Sequence, residues 1–138
     1  MELMIVIVAL GIMSAYAVMR TLSPSEMTVP SQAQTMAGDI RHVQALATTW
    51  GRRMRITISG TGYSVSCVDG GTPCPAFTVL LQNGVTLTTI SITPLDFDSL
   101  GRPLNSAGVA TAASYTLSSG GSVKTVSVAA LTGFVAEP

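Results

Sequence analysis

Charged side chains are scarce in this chain of 138 residues: Asp, Glu, Lys and Arg together make up only 10%. About a quarter is usual for a soluble globular protein. Seven basic residues balance seven acidic ones, so the formal net charge is zero. A general nucleic-acid binder needs a basic excess to neutralise phosphates, and this balance argues against that class. Zero net charge also removes one barrier to self-association.

Residues that commonly bind metals are equally few. The chain has one histidine, His42, and two cysteines, Cys67 and Cys74. A structural zinc ion needs four Cys or His ligands at short spacings, so we expect no metal site and no cofactor. The two cysteines enclose turn-forming Gly and Pro residues. In an oxidising compartment we therefore predict a disulfide between them rather than free thiols.

Familiar catalytic patterns are missing as well. The sequence has no nucleophile turn of the Gly-x-Ser-x-Gly type, no phosphate loop and no dinucleotide glycine pattern. His42 is interpreted as a solvated residue of a helix, and Lys124 as an exposed residue of a strand. Asp96 and Asp98 could share one face of an extended segment and bind a cation, but the residues after Asp98 favour an ordinary turn. We predict that the protein is not an enzyme.

The longest stretch without charge spans residues 3–19, which read LMIVIVALGIMSAYAVM. As a helix it would extend about 25 Å, close to the thickness of the bilayer hydrocarbon core. A cleaved signal peptide begins with a basic region, whereas here Glu2 precedes the apolar run. A carboxylate beside hydrocarbon is costly unless it is paired. We predict a membrane-inserted helix over residues 1–20, with Glu2 as a functional group.

Residues 2–12, which read ELMIVIVALGI, resemble the start of mature type IV pilins and type II secretion pseudopilins. In that family the glutamate pairs with the N-terminal amine of a neighbouring subunit, and the resemblance assigns this role to Glu2. It implies other pilin or pseudopilin subunits as partners. It also implies the inner membrane as the location before assembly into an extracellular or periplasmic filament. The residues expected to pack in the helical core of the filament are Leu3, Ile5, Val8, Gly11, Ile12 and Ala15.

Two family features differ in this sequence. A basic leader and a Phe-Thr-Leu-Ile-type tetrapeptide precede the glutamate in the family, whereas Met1 alone precedes it here, and we expect the reading frame to begin further upstream. The kinking proline that is usual near the outer end of the membrane segment is also missing, and Pro24 and Pro30 occur a little later instead. Proline removes a backbone donor and clashes with the preceding turn. Residues 21–30 are therefore predicted to be a flexible or melted linker.

A helix is predicted to open the remaining segment, residues 31–138. Ser31 and Gln34 fit a capping box. Apolar residues follow at three- and four-residue steps as far as Trp50, a pattern typical of a helix with one buried face. Gly51 is a plausible stop.

Beyond Gly51 the apolar period changes to two, which predicts strands. The predicted strands lie at residues 54–58, 63–67, 77–81, 85–92, 113–117 and 123–129. Asn83-Gly84 and Gly120-Gly121 predict hairpin turns. The fold class is therefore α+β: a long N-terminal hydrophobic helix, interrupted near Pro24 and Pro30, packed on an antiparallel β-sheet or small β-sandwich head.

Short phrases of the head resemble minor pseudopilins and FimT-like minor pilins. In chain order they are residues 39–41 (DIR), 51–56 (GRRMRI), 62–63 (GY), 97–103 (FDSLGRP) and 131–134 (LTGF). Some FimT-like minor pilins bind DNA through basic residues of the head. The basic cluster here is Arg52, Arg53 and Arg55, and three cations offer weak phosphate binding at best. DNA is therefore not expected as a partner.

These observations predict a structural subunit of a type IV pilus or a type II secretion pseudopilus, which assembles through its N-terminal helix. The alternative is a single-pass membrane-anchored β domain that binds a ligand, a partner or DNA without polymerising. A basic stretch ending in Gly-Phe upstream of residue 1 would favour the pilin, and its absence would favour the alternative.

Overall fold

The computed structural model describes residues 24–137, so the predicted membrane segment over residues 1–20 lies outside the described part. Within residues 24–137 one long helix is followed by nine strands. These elements are α1 (Pro24–Trp50), β1 (Met54–Ser59), β2 (Gly62–Cys67), β3 (Phe77–Leu80), β4 (Thr86–Ile90), β5 (Leu95–Phe97), β6 (Pro103–Leu104), β7 (Ala113–Ser119), β8 (Ser122–Val128) and β9 (Val135–Ala136).

The strands form two sheets that share one helix. The larger sheet has the order β3-β2-β1-β5-β6, and the smaller has the order β4-β7-β8-β9. Every strand pair in both sheets is antiparallel. Helix α1 packs against β1 and β5 of the larger sheet and against β7, β8 and β9 of the smaller one. The predicted α+β class is confirmed.

Helix α1 begins earlier than the sequence predicts. The predicted linker over residues 21–30 is helical from Pro24 onward, and Pro30 lies inside the helix rather than ahead of its predicted start at Ser31. Proline suits the first helical position, where its missing N–H has no partner to lose. Inside the helix Pro30 costs one backbone hydrogen bond. The full burial of Val29 and Ala33 on either side of it stabilises the helix across this point.

A single stripe of α1 supplies about a third of the buried apolar residues of the described core. Its members recur at steps of three and four residues, which places them on one helical face, and all are fully buried: Val29, Ala33, Met36, Ala37, Ile40, Val43 and Ala47. Most of the others come from the strands, through alternation. In β1, for example, Met54, Ile56 and Ile58 are buried. Each large apolar side chain buried in this way contributes roughly 1.5–3 kcal/mol relative to exposure.

The predicted turns are present, but one of them joins different partners. Gly120 and Gly121 have φ of 55° and 88° and connect the paired strands β7 and β8, which confirms that hairpin. Asn83 and Gly84 also have positive φ, at 54° and 70°. The strands that they join, β3 and β4, belong to different sheets. The predicted hairpin is therefore wrong: this turn carries the chain from one sheet to the other.

Candidate functional site

Polar side chains on both flanks of the buried stripe fix α1 to the head. On one flank the hydroxyl of Tyr63, in β2, donates a 2.6 Å hydrogen bond to Oδ2 of Asp39. Burial, and then this hydrogen bond, raises the pKa of Tyr63 above its ordinary value. Earlier in the helix Nε2 of Gln32 donates to the carbonyl of Gln82 at 3.0 Å, and the amide N–H of Gln82 donates to Oε1 of Gln32 at 3.1 Å.

On the other flank Arg41 holds the last strand. Its Nη2 donates to the carbonyl of Val135, in β9, at 2.9 Å. Its Nη1 pairs with Oε1 of Glu137 at 2.5 Å. Because β9 has only two residues, its pairing with β8 is short. The two bonds from Arg41 therefore help to hold β9 in place.

Gln44 brings two glycine turns together on the same flank. Its Nε2 donates to the carbonyl of Gly101 at 2.8 Å and to that of Thr132 at 3.1 Å. Both turns approach closely, because a Cβ on Gly133 would overlap Nε2 of Gln44 and the carbonyl of Gly101. The phrases 97–103 and 131–134, far apart in the sequence, thus meet at one side chain of the helix. Sequence reasoning did not single out Gln44, although the glycine in each phrase was a signal of close approach.

The predicted basic cluster contains a buried acid. Arg55 in β1 lies directly opposite Asp96 in β5. Nε of Arg55 donates to Oδ1 of Asp96 at 2.7 Å, and Nη2 donates to Oδ2 at 2.9 Å. Nε of Arg53 lies 3.6 Å from the same Oδ2. The carboxylate is 1% exposed, and its hydrogen bonds raise the pKa of Arg55 more than burial lowers it.

This pairing bears on the predicted DNA contact of Arg52, Arg53 and Arg55. Asp96 neutralises one of the two positive charges that face it, and Arg52 packs its guanidinium against Gly71. Fewer cations therefore remain for phosphates, whose binding scales with cation number. A DNA contact at these arginines stays a prediction.

Asp98 forms the turn that its neighbours predict. Its Oδ1 accepts hydrogen bonds from the amide N–H of Leu100 at 3.0 Å and from that of Arg102 at 2.8 Å. Its Oδ2 accepts from Nε of Arg102 at 2.8 Å. Burial acts to raise the pKa of Asp98, but these hydrogen bonds lower it overall. Asp96 and Asp98 thus serve separate arginines instead of acting as a pair.

The other residues that the sequence singles out are the two cysteines, the histidine and the lysine. Cys67 and Cys74 are joined in a disulfide with a Cα–Cα distance of 6.0 Å, which confirms that prediction. His42 is exposed on the outer face of α1, and Lys124 is half-buried in β8. Within residues 24–137 no group of three or more His, Cys, Asp or Glu side chains could hold a metal ion.

The residues predicted to drive assembly lie outside the described part of the chain. They are Glu2, Leu3, Ile5, Val8, Gly11, Ile12 and Ala15. Among the described residues, no helix is both long enough and apolar enough to cross a membrane.

The family model of type II transport protein GspH matches residues 32–132 of the chain. The matched region includes Gln32, Asp39, Arg41 and Gln44 of α1, the turn at Gly101 and the disulfide. No curated protein sequence matches the chain.

Two crystal structures of the type IV minor pilin FimU from Pseudomonas aeruginosa (strain PAO1) have a similar fold. In one crystal form the TM-score is 0.63 at 15% identity, over 80% of this chain and 87% of that chain. In the other the TM-score is 0.61 at 15% identity, over 78% and 90%. At this identity the likeness shows the fold alone.

Proposed function

The chain belongs to the family of type II transport protein GspH, a family of pilin and pseudopilin subunits, and from this premise we propose that it assembles into a filament as a structural subunit. The filament is of the type II secretion pseudopilus or type IV pilus kind. The role requires no catalytic group, and the polar side chains of the head serve the fold instead.

The attachment of α1 to the head is the observation that carries this proposal. A subunit that is anchored by its N-terminal segment needs a firm attachment between the helix that continues from that segment and its head. Between Gln32 and Gln44 the helix is bonded on both flanks to four separate regions of the head. Its apolar stripe is buried from Val29 to Ala47 without interruption. The head and the helix therefore form one unit, as a subunit that is anchored through its N-terminal segment requires.

The proposed mechanism places residues 3–19 first in the inner membrane and then in the core of the filament. Glu2 pairs there with the N-terminal amine of a neighbouring subunit, because a carboxylate in low dielectric gains most from a cationic partner. The small residues Gly11 and Ala15 allow adjacent helices to approach closely.

Replacement of Glu2 by Ala tests this mechanism. We expect Glu2→Ala to remove the protein from filaments sheared from cells, while the Cys67–Cys74 disulfide still forms in the head. Glu26→Ala, which removes an acid beyond the apolar run, is the matched control and should incorporate normally. The readout is the head epitope in the sheared fraction, seen by immunogold electron microscopy. Normal incorporation of Glu2→Ala would refute the pairing role, and wild-type protein found only in membranes would favour an anchored, non-polymerising domain.

A further inference from the structure

The outer edge of β3 differs from the other edges of the two described sheets. Proteins usually protect an edge strand with proline, a bulge, charged side chains or a covering segment. Of the four edges, β6 contains Pro103, the pairing of β4 has a bulge, and β9 is bonded to Arg41 of α1. Strand β3 has none of these features, because its register with β2 is regular and residues 70–95 include no Asp, Glu, Lys or Arg.

The backbone groups of Thr78 and Leu80 point towards this outer edge. The amide N–H of Leu81 donates to the carbonyl of Thr61 at 2.9 Å, so it faces β2. Successive residues of a strand direct their N–H and C=O groups to opposite sides. The groups of Val79 therefore also face β2, and those of Thr78 and Leu80 face away from it. Because β3 is the last strand of its sheet, these groups have no strand beside them.

The edge is already paired at one position, where its partner is a side chain. By the same alternation the N–H and C=O of Gln82 face away from β2, and the side-chain amide of Gln32 bonds to both, at 3.1 Å and 3.0 Å. A primary amide offers a donor and an acceptor together, as a residue of a neighbouring strand does. Helix α1 thus completes the pairing at Gln82 and leaves it incomplete at Leu80 and Thr78.

A cavity lies on each face of β3 beside these backbone groups. The cavity on the helix side has a volume of about 200 Å³ and lies between Gln32 and Thr35 of α1 and Val79 and Leu81. The cavity on the opposite face has a volume of about 140 Å³, and its lining includes the hydroxyl side chains of Thr57, Ser59, Ser64 and Thr78. Side chains of a strand point alternately to its two faces. A strand added along β3 would therefore place side chains into both cavities.

The backbone of an extended chain is the occupant that fits this edge. A helix cannot pair with it, because the N–H and C=O groups of a helix are bonded internally. An apolar surface without backbone groups would bury those of Thr78 and Leu80 unpaired, which is unfavourable. In strand addition the added backbone supplies these hydrogen bonds, and the cavities select the side chains. No charged residue lines either cavity, so uncharged side chains fit them.

We propose that β3 is a binding site for an extended, uncharged segment of another protein, which adds a sixth strand to the larger sheet. The added strand bonds to the backbone of Thr78 and Leu80 beside the position that Gln32 occupies. It covers the side chain of Leu80, which is 69% exposed. The inference goes beyond the proposed function, because the site belongs to the folded head and does not depend on polymerisation.

Nuclear magnetic resonance of the full chain in detergent micelles tests the site, with the peptide acetyl-Thr-Val-Thr-Val-Thr-amide as the probe. We expect saturable binding, contacts between the peptide amides and the backbone of β3, and slower hydrogen exchange at the amides of Thr78 and Leu80. The amide of Val79 faces β2 and is the internal control, so its exchange rate should not change. A peptide of the same sequence with a methyl group on every backbone amide nitrogen cannot pair as a strand and should not bind.

Two substitutions of Thr78 separate the backbone from the side chain. We expect Thr78→Pro to weaken peptide binding about tenfold, because it removes an N–H that faces the added strand. Thr78→Val keeps this N–H and a side chain of similar size, and it should bind as the wild type does. Proline is tolerated on an edge strand where the N–H faces outward, and formation of the Cys67–Cys74 disulfide verifies that each head is folded. If Thr78→Pro does not fold, the methylated peptide gives the same comparison on the unchanged protein.

Three results would overturn the inference. The first is that the peptide does not bind at β3, and the second is that the methylated peptide binds as tightly as the unmodified one. The third is slow exchange at Thr78 and Leu80 in the chain alone, which would mean that a second copy already covers the edge. None of these results bears on assembly, which the incorporation of Glu2→Ala into sheared filaments tests separately.

Discussion

Among the described residues Asp96 is the only charged side chain that is buried. A buried carboxylate is tolerated when its oxygens are hydrogen-bonded and its charge is paired. Arg55 meets both requirements through two parallel hydrogen bonds, and Arg53 adds a second positive charge nearby. The ion pair joins β1 to β5, which pair over only three ladder positions, so it strengthens a short pairing in the larger sheet.

Removal of this charge should be costly. We expect Asp96→Asn to lower the free energy of unfolding by about 2–3 kcal/mol, because it leaves two arginines facing an uncharged group; the figure lies below the range for a fully buried pair since Arg55 is one-third exposed. Urea unfolding of the full chain in detergent at pH 7 measures the change. Asp69→Asn, at an exposed position, is the control and should be nearly neutral. Equal stabilities of the two variants would contradict the prediction.

Acid should weaken the turn at Asp98. The pKa of Asp98 is below its ordinary value, because the hydrogen bonds from Arg102 and Leu100 outweigh the effect of burial. The charged carboxylate thus contributes stability above its unfolded pKa of about 4, and this contribution is lost as pH falls through the folded pKa. We expect Asp98→Asn to be less stable than wild type at pH 7, with a gap that narrows below pH ~4. Urea midpoints over a pH series measure the gap, and a constant gap would rule out this linkage.

At the scale of elements, the two glycine turns show how a short connection can position a long helix. Gly101 and Gly133 both have positive φ, at 77° and 66°. This conformation is easy for glycine and strained for other residues. At Gly133 the absence of a side chain also makes room for Gln44. The turn therefore depends on glycine for two separate reasons, conformation and space.

A pair of alanine substitutions distinguishes conformation from space. Gly121 also has positive φ, but a Cβ there would meet nothing within 4 Å. We expect Gly121→Ala to cost about 1 kcal/mol from backbone strain. Gly133→Ala should cost about 1–3 kcal/mol more, because it also forces Gln44 away from its carbonyl partners. Chemical unfolding of both variants gives the comparison. Equal losses would show that the close approach to Gln44 does not constrain the turn.

Elements with a long apolar period could be predicted from the sequence, and short ones could not. The helix and the strands β1, β2, β3, β4, β7 and β8 were all anticipated. The missed strands, β5, β6 and β9, have only two or three residues each, and alternation cannot be recognised over so few positions. Their strand geometry comes from pairing with neighbours distant in the sequence. The turn at Asn83 and Gly84 shows the same limit, since its residues encode a reversal but not which strands will pair.

At the scale of the whole molecule, the disulfide stabilises a loop with little other structure. Residues 68–76 contain no strand, and the Cys67–Cys74 bond closes a short part of this segment onto the end of β2. The helix and the two sheets have their own buried core. The bond should therefore affect the stability of the head without determining its fold.

Replacement of both cysteines tests this expectation. We expect Cys67→Ala/Cys74→Ala to lower the free energy of unfolding by roughly 2–3 kcal/mol, the value for closure of a short loop, while the circular dichroism spectrum stays that of the wild type. Thermal unfolding with and without reductant measures the effect. Reductant should destabilise the wild type and leave the double variant unchanged. Loss of the native spectrum would mean that the bond is required for folding.

The site as a whole was only partly predictable, for a physical reason. Single residues such as the cysteines, and local turns such as that at Asp98, depend on near neighbours, so the sequence contains their signal. Gln44 and Asp96 act through partners that only the tertiary fold brings near. Asp96 lies 41 residues from Arg55, and nothing local distinguishes it from an exposed turn residue.

The bonds on the flanks of α1 also set an order of events in time. Gln32 has its partner 50 residues later, Gln44 has one 88 residues later, and Arg41 has one 94 residues later. Among the described elements the helix is therefore synthesised first, but its contacts with the head form last. Contacts between residues far apart in the sequence form only after the intervening chain has been ordered. A half-synthesised chain already contains α1. It still lacks β9 and the turn at Gly133, to which the helix is bonded in the finished protein. The packing of the head around α1 is therefore complete only when the last residues of the chain have been synthesised.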